Sequence, residues 1–515
     1  MADIGIVGGG IAGLYCAWKL LKKGESVTLY ECLNRLGGRI ETHDLNGFKA
    51  ECGPMRFELK IEPLFNQLAG ELGIEFDEFT PPRSGSAEFP KYDLQPGEMS
   101  ATHKQTVEKV LGRGSYSEIV SGIFSHHTSA LDLLKFGIYR LFNRDLDDQN
   151  LSLAEVVSGG KASKISLYAG RLMDADYDLL RTRASIDGVL VRSLGFWNAL
   201  SRVLSPGAVT KIRDTGTFYH LMPENPSASE WAIFWLRMFR PDADLSTIKC
   251  GVETIVERLQ KDLTQRGLIP QVTSTVEGVA PGTGSKISLK IAGDPVPKAF
   301  DHVILALPAV ALRSLYGHFP RNIRTYVNGV IPFPLLKAFA VINDPWWQEI
   351  PEPQQGAHLV PTREVHYFKP QDGSKQAMIM LYMDRPATAY WHHYIERPHT
   401  EAQIGTTVKL KRELALQIAK LLPLNNADEK AHVMRVEKSI THFAIRDWSE
   451  PPFSAACHAW APPINVPKAL DQLKAFPLAG TTGARNVHIC GEAYSDYQGF
   501  IEGALRSSEN VLATL

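Results

Sequence analysis

The chain has 515 residues, 44% of them hydrophobic and 22% charged, and a formal net charge of −1. Those proportions are ordinary for a globular protein, and the length allows about three domain-sized units with a large core. Near-neutral charge without any Lys/Arg block excludes a polyanion-binding protein, so no nucleic-acid partner is expected. The cysteines Cys16, Cys32, Cys52, Cys250, Cys457 and Cys490 are scattered and form no C-x-x-C pair. Neither a zinc knuckle nor a dithiol site is indicated, no metal is expected, and the usage fits a reducing compartment. Cys490, in the apolar run Val487–Cys490, reads as a small buried hydrophobe. No signal-peptide pattern opens the chain, and the apolar run Val303–Leu312 is short and contains Pro308. The expectation is a cytoplasmic protein with no membrane partner.

In chain order, Ile4–Val7 reads as a buried strand, Ile11 to Leu21 as a helix stopped by Gly24, and Val27–Tyr30 as a second strand. Pro63–Leu72 has the spacing of an amphipathic helix. Residues 80–100 predict a loop, and 105–205 a mostly helical stretch. Residues 205–230, with Pro206, Gly207, Gly216, Pro223 and Pro226, predict another loop. Gly251–Gln265 follows as a helix, then Val272–Val279 and Lys286–Ile291 as strands. Asp301–Pro308 is a polar start followed by a buried strand. Residues 333–345 and 376–383 predict strands, Ala402–Leu421 a helix, and Val487–Leu515 a strand, turn and helix. Strand-rich blocks at both ends and in the middle predict a domain assembled from separate segments.

Gly8-Gly9-Gly10-Ile11-Ala12-Gly13 fits G-x-G-x-x-G between the first strand and the first helix. Gly8 permits the tight turn, Gly10 lets backbone approach a pyrophosphate, and Gly13 lets helix pack on strand. The helix start offers free N–H groups to phosphates, with Ile11 and Ala12 in its first turn. Glu31 closes the second strand, about 20 residues further on, where an acid takes ribose hydroxyls. These residues predict dinucleotide binding and leave FAD and NAD open.

Three further runs carry a resemblance: Leu36-Gly37-Gly38-Arg39, Cys490-Gly491-Glu492-Ala493 and Gln498-Gly499-Phe500-Ile501-Glu502-Gly503-Ala504. In order and across nearly the whole chain they resemble the flavin-containing amine oxidase superfamily. The resemblance implies FAD, with Gly38 and Arg39 along its phosphates and ribityl chain and Gly491 and Glu492 closing over the same groups. It puts Phe500 and Ile501 at a helix start facing the isoalloxazine, and adds Met55, Arg56 and Val276 to the cofactor contacts. Glu51-Cys52-Gly53-Pro54-Met55-Arg56-Phe57 resembles the G-x-M-R segment of L-amino-acid oxidases, whose arginine holds the substrate carboxylate. A guanidinium clamps a carboxylate bidentately and stays charged. Tyr382, in Ile379–Tyr382, resembles the tyrosine that shares that carboxylate. Lys337, in Leu336–Phe339 ahead of Trp346-Trp347, resembles the lysine holding a water near flavin N5. Gly499, Phe500 and Trp448 fall at the substrate, and Trp460 also lies where relatives place an aromatic. Phe500 stands where many relatives have tryptophan, and Gln498 where some have histidine, so no base is carried over there.

The implied fold is α/β: a Rossmann-like FAD-binding domain from segments 1–58, 243–312 and 470–515, a mixed-sheet substrate domain from 59–110 and 313–469, and a helical subdomain from 111–242. The implied activity is that of an L-amino-acid oxidase, taking an L-amino acid and oxygen to a 2-oxo acid, ammonia and hydrogen peroxide by hydride transfer from Cα to flavin N5. A homodimer or higher homo-oligomer is expected. An amino-acid 2-monooxygenase shares these motifs. An amine or polyamine oxidase has no carboxylate for Arg56, and a flavin-dependent isomerase or desaturase would not discharge to oxygen. For the substrate side chain, Phe196, Trp197, Trp231 and Trp235 are candidate aromatic walls, and Asp214 or Glu230 candidate partners for a cation. The His392-His393 pair is expected to face solvent.

Overall fold

The computed structural model describes residues 2–79, scattered positions from 133 to 142, residues 174–215 and 224–238, and, with short interruptions between 344 and 482, residues 244–515. The expected loop at 80–100 and the pair Trp346-Trp347 lie outside the described residues.

A four-stranded parallel sheet underlies the glycine motif, in the order Ser26–Tyr30, Asp3–Val7, His302–Leu305, Val487–Ile489. Side chains alternate between its faces, as a strand period of two requires. Ile4, Ile6 and Ile304 join one core with the helices Ile11–Lys22, Thr254–Gln265 and Ile501–Leu512. Val7, Val303, Leu305 and Ile489 join the opposite core, with the antiparallel meander Val276–Pro281, Ile287–Ile291, Lys298–Phe300. That second core also takes Phe319, Ile323, Val327, Ile464 and Leu473, so the segments around 315–330 and 460–478 pack against the parallel sheet.

A six-stranded sheet runs Gly356–Ala357, Glu364–Tyr367, Gln376–Met383, Leu336–Asn343, Ile440–Asp447, Gln403–Ile404. Where a mixed sheet was expected, every pairing is antiparallel: no helix crossover of the βαβ kind joins its neighbouring strands. Leu336, Ala338, Ala340 and Ile342 pack under the helices Val408–Leu421 and Glu429–Ser439. Phe339 and Val341 face the other way, against Phe48, Cys52, Met55 and Trp448. Lys337 shares that second face, which is the side of the glycine cradle. A third core gathers the helices Asp174–Arg183, Phe196–Val203, Pro206–Thr215 and Ala228–Met238 and reaches Phe333 and Ala459.

The loop expected at 205–230 contains the whole helix Pro206–Thr215 and the start of a second, Ala228–Met238. Pro206 opens the first of them, in the first turn, where an N–H has no intrahelical acceptor to lose. The helix expected from Ala402 begins at Val408, because Gln403–Ile404 pairs with the sheet edge and Gly405 turns the chain at φ +59°. The strand expected over 272–279 runs from Val276 to Pro281. Cys490 is fully buried. His393 is exposed, whereas His392 is half-buried with Nδ1 3.4 Å from Asp447 Oδ2. Among the described residues no helix is long and apolar enough to cross a membrane.

Candidate active site

The turn between Asp3–Val7 and Ile11–Lys22 is tied by close backbone contacts. Gly8 has φ +107°, and a Cβ there would lie 2.4 Å from the Ala306 carbonyl oxygen. A Cβ on Gly13 would lie 1.9 Å from the Gly8 oxygen, so the helix can sit this close only with glycine in that place. A Cβ at Gly10 would meet nothing nearer than Gly38 Cα, at 3.9 Å, which leaves an open floor above the helix start. Glu31 caps the turn: its Oε2 accepts from Gly9 N at 2.7 Å and its Oε1 from Leu33 N at 2.8 Å. The cavity over this floor is lined by Gly8, Gly10, Ile11, Ala12, Glu31, Gly38, Arg39, Gly491, Glu492, Phe500 and Ile501, and further out by Lys337, Tyr382, Trp448 and Gly499. A largely apolar trough with this lining fits a dinucleotide. It offers a helix start to phosphates at one end and aromatic side chains to a ring system at the other.

A buried charge network closes the trough. Arg39 Nη1 donates to Glu492 Oε2 at 2.8 Å and to the Ala456 carbonyl at 2.7 Å. Glu492 Oε1 accepts from His458 N at 2.9 Å and Gly499 N at 2.8 Å, and Oε2 lies 2.8 Å from His458 Nδ1. His458 Nε2 accepts from Ala309 N at 3.3 Å. That acceptor role leaves the proton on Nδ1, so a neutral imidazole donates to Glu492. Burial pushes the His458 imidazole below its ordinary value, against the pull of Glu492. Burial alone would raise Glu492, but Arg39 and then His458 outweigh it and hold the carboxyl at about 2. The carboxylate thus fixes the Gly499 backbone and, through it, the start of the helix at Ile501.

On the opposite wall Lys337 and Tyr382 are direct cross-strand neighbours. The Lys337 ammonium lies 4.9 Å from the Tyr382 ring centroid and donates to the Glu51 and Gly53 carbonyls, at 2.9 and 2.6 Å. Burial lowers it to about 8. Glu51 is pushed up to about 7 by its own burial, although Thr42 Oγ1 and Val252 N both donate to it. Gly53 is fixed by close approach, since a Cβ there would lie 1.9 Å from the Arg39 oxygen. The half-buried Arg56 lies within electrostatic reach of Lys337 and of Glu364. Trp448 donates from Nε1 to the Cys52 carbonyl at 2.8 Å and stacks on Arg446, 3.9 Å from ring centroid to Cζ.

A family profile described as "Flavin containing amine oxidoreductase" matches residues 11–511. The chain belongs to that family. FAD is therefore the cofactor of the cradle, and the protein is an FAD-dependent oxidoreductase. Among relatives, Aplysianin-A of Aplysia kurodai is 23% identical over 557 residues, covering 99% of this chain and 89% of that protein. Achacin of Lissachatina fulica is 40% identical over 81 residues, 15% of each chain. L-amino acid oxidase Cdc18 of Crotalus durissus cumanensis is 36% identical over 74 residues, 14% of this chain and 15% of that one. A solved putrescine oxidase bound to putrescine shares the fold, with TM-score 0.62 and 15% identity over 100% of this chain and 98% of that one.

Not every residue expected at the site of this amine oxidoreductase lines the cavity. Gly13 acts through packing. Met55 is buried among Phe48, Met378 and Met380, and Val276 packs with Val7 and Tyr30 behind the parallel sheet. Arg56 stands beside Lys337 but off the cavity wall. Trp460 is fully buried, donating to the Ser495 carbonyl at 2.8 Å. Of the aromatic candidates, Trp231 lines the cavity, while Phe196, Trp197 and Trp235 belong to the helical core. Glu230 is taken by Arg181, whose Nε lies 3.0 Å from both its oxygens, so it is corrected as a partner for a substrate cation. The Asp214 side chain lies outside the described residues. Gln498, already set aside as a base, donates to the Ala493 carbonyl at 2.7 Å. The sequence reading missed Phe234 and His458, both at the cavity. His458 carried a signal, being a lone polar residue in the otherwise apolar strand Cys457–Trp460. Phe234 carried none, because a helical aromatic reads first as core.

Proposed function

We propose that the protein is an L-amino-acid oxidase, converting an L-amino acid, oxygen and water to a 2-oxo acid, ammonia and hydrogen peroxide. The observation that carries this is Arg56. Its guanidinium is half-buried, sits near Lys337, and makes no hydrogen bond among the described residues. A solvent-reachable guanidinium beside the cavity, with no hydrogen-bond partner among the described residues, is open to a carboxylate that arrives with the substrate. An amine substrate has nothing to offer it. The similarity of a short stretch of the chain to the L-amino acid oxidases of Crotalus durissus cumanensis and Sistrurus catenatus edwardsii supports the same reading.

Arg56 takes the α-carboxylate, with the Tyr382 hydroxyl as second donor, and this orients the Cα–H bond. Fixing that orientation can lower a barrier by ~7–11 kcal/mol. Trp448 and Phe500 exclude water from the reacting carbon. Lys337, poised at about 8, can hold a water by its remaining N–H and exchange a proton with it near neutral pH. Bound FAD supplies the two-electron acceptance and the discharge to oxygen.

The test is anaerobic titration of the yellow holoenzyme with L-amino acids, their D-forms and their decarboxylated amines, followed by air and a peroxide assay. Bleaching by L-amino acids alone, with peroxide after air, is expected. Arg56→Ala is expected to abolish amino-acid turnover while FAD stays bound. Full activity in that variant, or bleaching by the amines instead, sinks the assignment. Carbon dioxide released in place of peroxide would make the enzyme a 2-monooxygenase.

A further inference from the structure

Arg237, on the helix Ala228–Met238, is 9% exposed and has no role in the chemistry above. Its guanidinium is held in a slot, with Cζ 4.6 Å from the Tyr177 ring centroid and 4.3 Å from that of Tyr497. Nη1 donates to the Asp496 carbonyl at 2.8 Å. Nη2 is buried with no hydrogen-bond partner among the described residues, its nearest counter-charge being Asp496 Oδ2 at 3.9 Å. That carboxylate is already committed to Arg506 Nε at 2.8 Å, and the neighbouring Glu230 is committed to Arg181. Burial and then Arg181 lower the Arg237 guanidinium. A guanidinium does not deprotonate in a protein, so the direction reports the cost of burying this charge beside a second arginine, which Asp496 offsets only in part.

Arg237 also borders a small cavity of about 20 Å³, room for one water-sized group. Trp231, Phe234, His458, Gln498 and Phe500 line both this cavity and the main trough. The small cavity adjoins the active site through these shared walls, and its own walls carry the Arg237 guanidinium together with Glu230 and Asp496, each of which is already paired with another arginine. An unsatisfied buried donor is costly, about 1–3 kcal/mol and more when charged. A substrate that places an oxygen there removes that cost, and one ending in a methyl group does not.

We propose that Arg237 is a second substrate-binding residue, which receives a carboxylate or carboxamide oxygen at the end of the substrate side chain. The preferred substrates are then L-amino acids of the glutamate and glutamine type. This deepens the L-amino-acid reading above and rests on it.

The experiment uses the FAD-loaded full chain and two readouts. In the wild type, kcat/KM for L-glutamate or L-glutamine is expected to exceed that for L-norleucine. Glutarate is expected to perturb the flavin spectrum at lower concentration than pentanoate. In Arg237→Met, both ratios are expected to fall roughly 10- to 100-fold, the worth of one hydrogen bond to a charged group, with Arg237→Lys in between. A wild type that favours L-norleucine and binds pentanoate as well as glutarate overturns the proposal without any variant. So do ratios that stay put in Arg237→Met while L-norleucine is still oxidised, and that result leaves the oxidase reading standing. If no L-amino acid bleaches the flavin yet glutarate binding depends on Arg237, the oxidase reading falls and the small cavity remains an oxyanion site.

Discussion

Replacing Glu492 with glutamine tests whether the charge that closes the trough holds it together. The carboxylate accepts from Arg39, His458 and Gly499 at once. Glutamine keeps the size but loses the charge, and turns an amide N–H toward two donors. Holding the carboxyl at about 2 rather than 4.5 corresponds to about 3 kcal/mol of folding free energy. The folded value is the lower one, so this contribution is complete above about pH 4.5 and disappears as pH falls toward 2. Glu492→Gln should therefore unfold about 3 kcal/mol more easily at pH 7 in urea, and release FAD at lower denaturant. The deficit should shrink steadily between pH 4.5 and the acid limit of the measurement. A deficit that stays the same at pH 3 and pH 7, or one below 1 kcal/mol at pH 7, refutes the charge argument and leaves only a steric one.

Glu62 has the opposite sign. Burial, with Glu502 and Glu58 nearby, pushes its carboxyl up to about 8, so the folded chain retains a proton that the unfolded chain releases near 4.5. Stability falls as pH rises between those values, and Glu62→Gln should gain ~4 kcal/mol on the wild type between pH 5 and pH 9. Melts at the two pH values check this, and a gap that does not widen with pH counts against it. Lys337→Met strands the Glu51 and Gly53 carbonyls and removes the proton donor lowered to about 8. Reoxidation of the reduced enzyme by oxygen should slow roughly 100-fold, and any inflection of that rate near pH 8 should vanish. An inflection that persists assigns it to another group.

The cradle was legible because its constraints are local. Gly8, Gly10 and Gly13 answer to one turn, and Glu31 ends the strand beside it, so a single segment of chain displays the whole requirement. The strand carrying Lys337 was legible for a similar reason, a charge in an apolar run needing a carbonyl or a carboxylate nearby. What escaped depends on distant pieces meeting. The tie between Glu492 and His458 joins a 3-10 turn after one strand to a strand of another sheet. Trp231 and Trp235 sit on one helix, yet of the two only Trp231 lines the cavity, and it stacks on Phe333 from a distant segment at 5.3 Å. Pro206 misled because proline reads as a break until its place in the first turn is known. Val276 resembled a cofactor contact, but its side chain faces the core, next to a register shift in which Lys290 pairs with Gly278 and Ile291 with Val276, so that Glu277 is skipped.

The parallel sheet sets Asp3–Val7 next to His302–Leu305, and that strand next to Val487–Ile489. A ribosome making this chain exposes the glycine turn before the residues that lid it, Gly491 and Glu492, which lie far downstream of it. Until they emerge, the nascent protein has the phosphate-facing turn without the residues that close over it. Cofactor loading then waits on the segment from Val487 to Glu492, and a product cut short before Val487 would leave the nucleotide floor without its fourth strand or its lid.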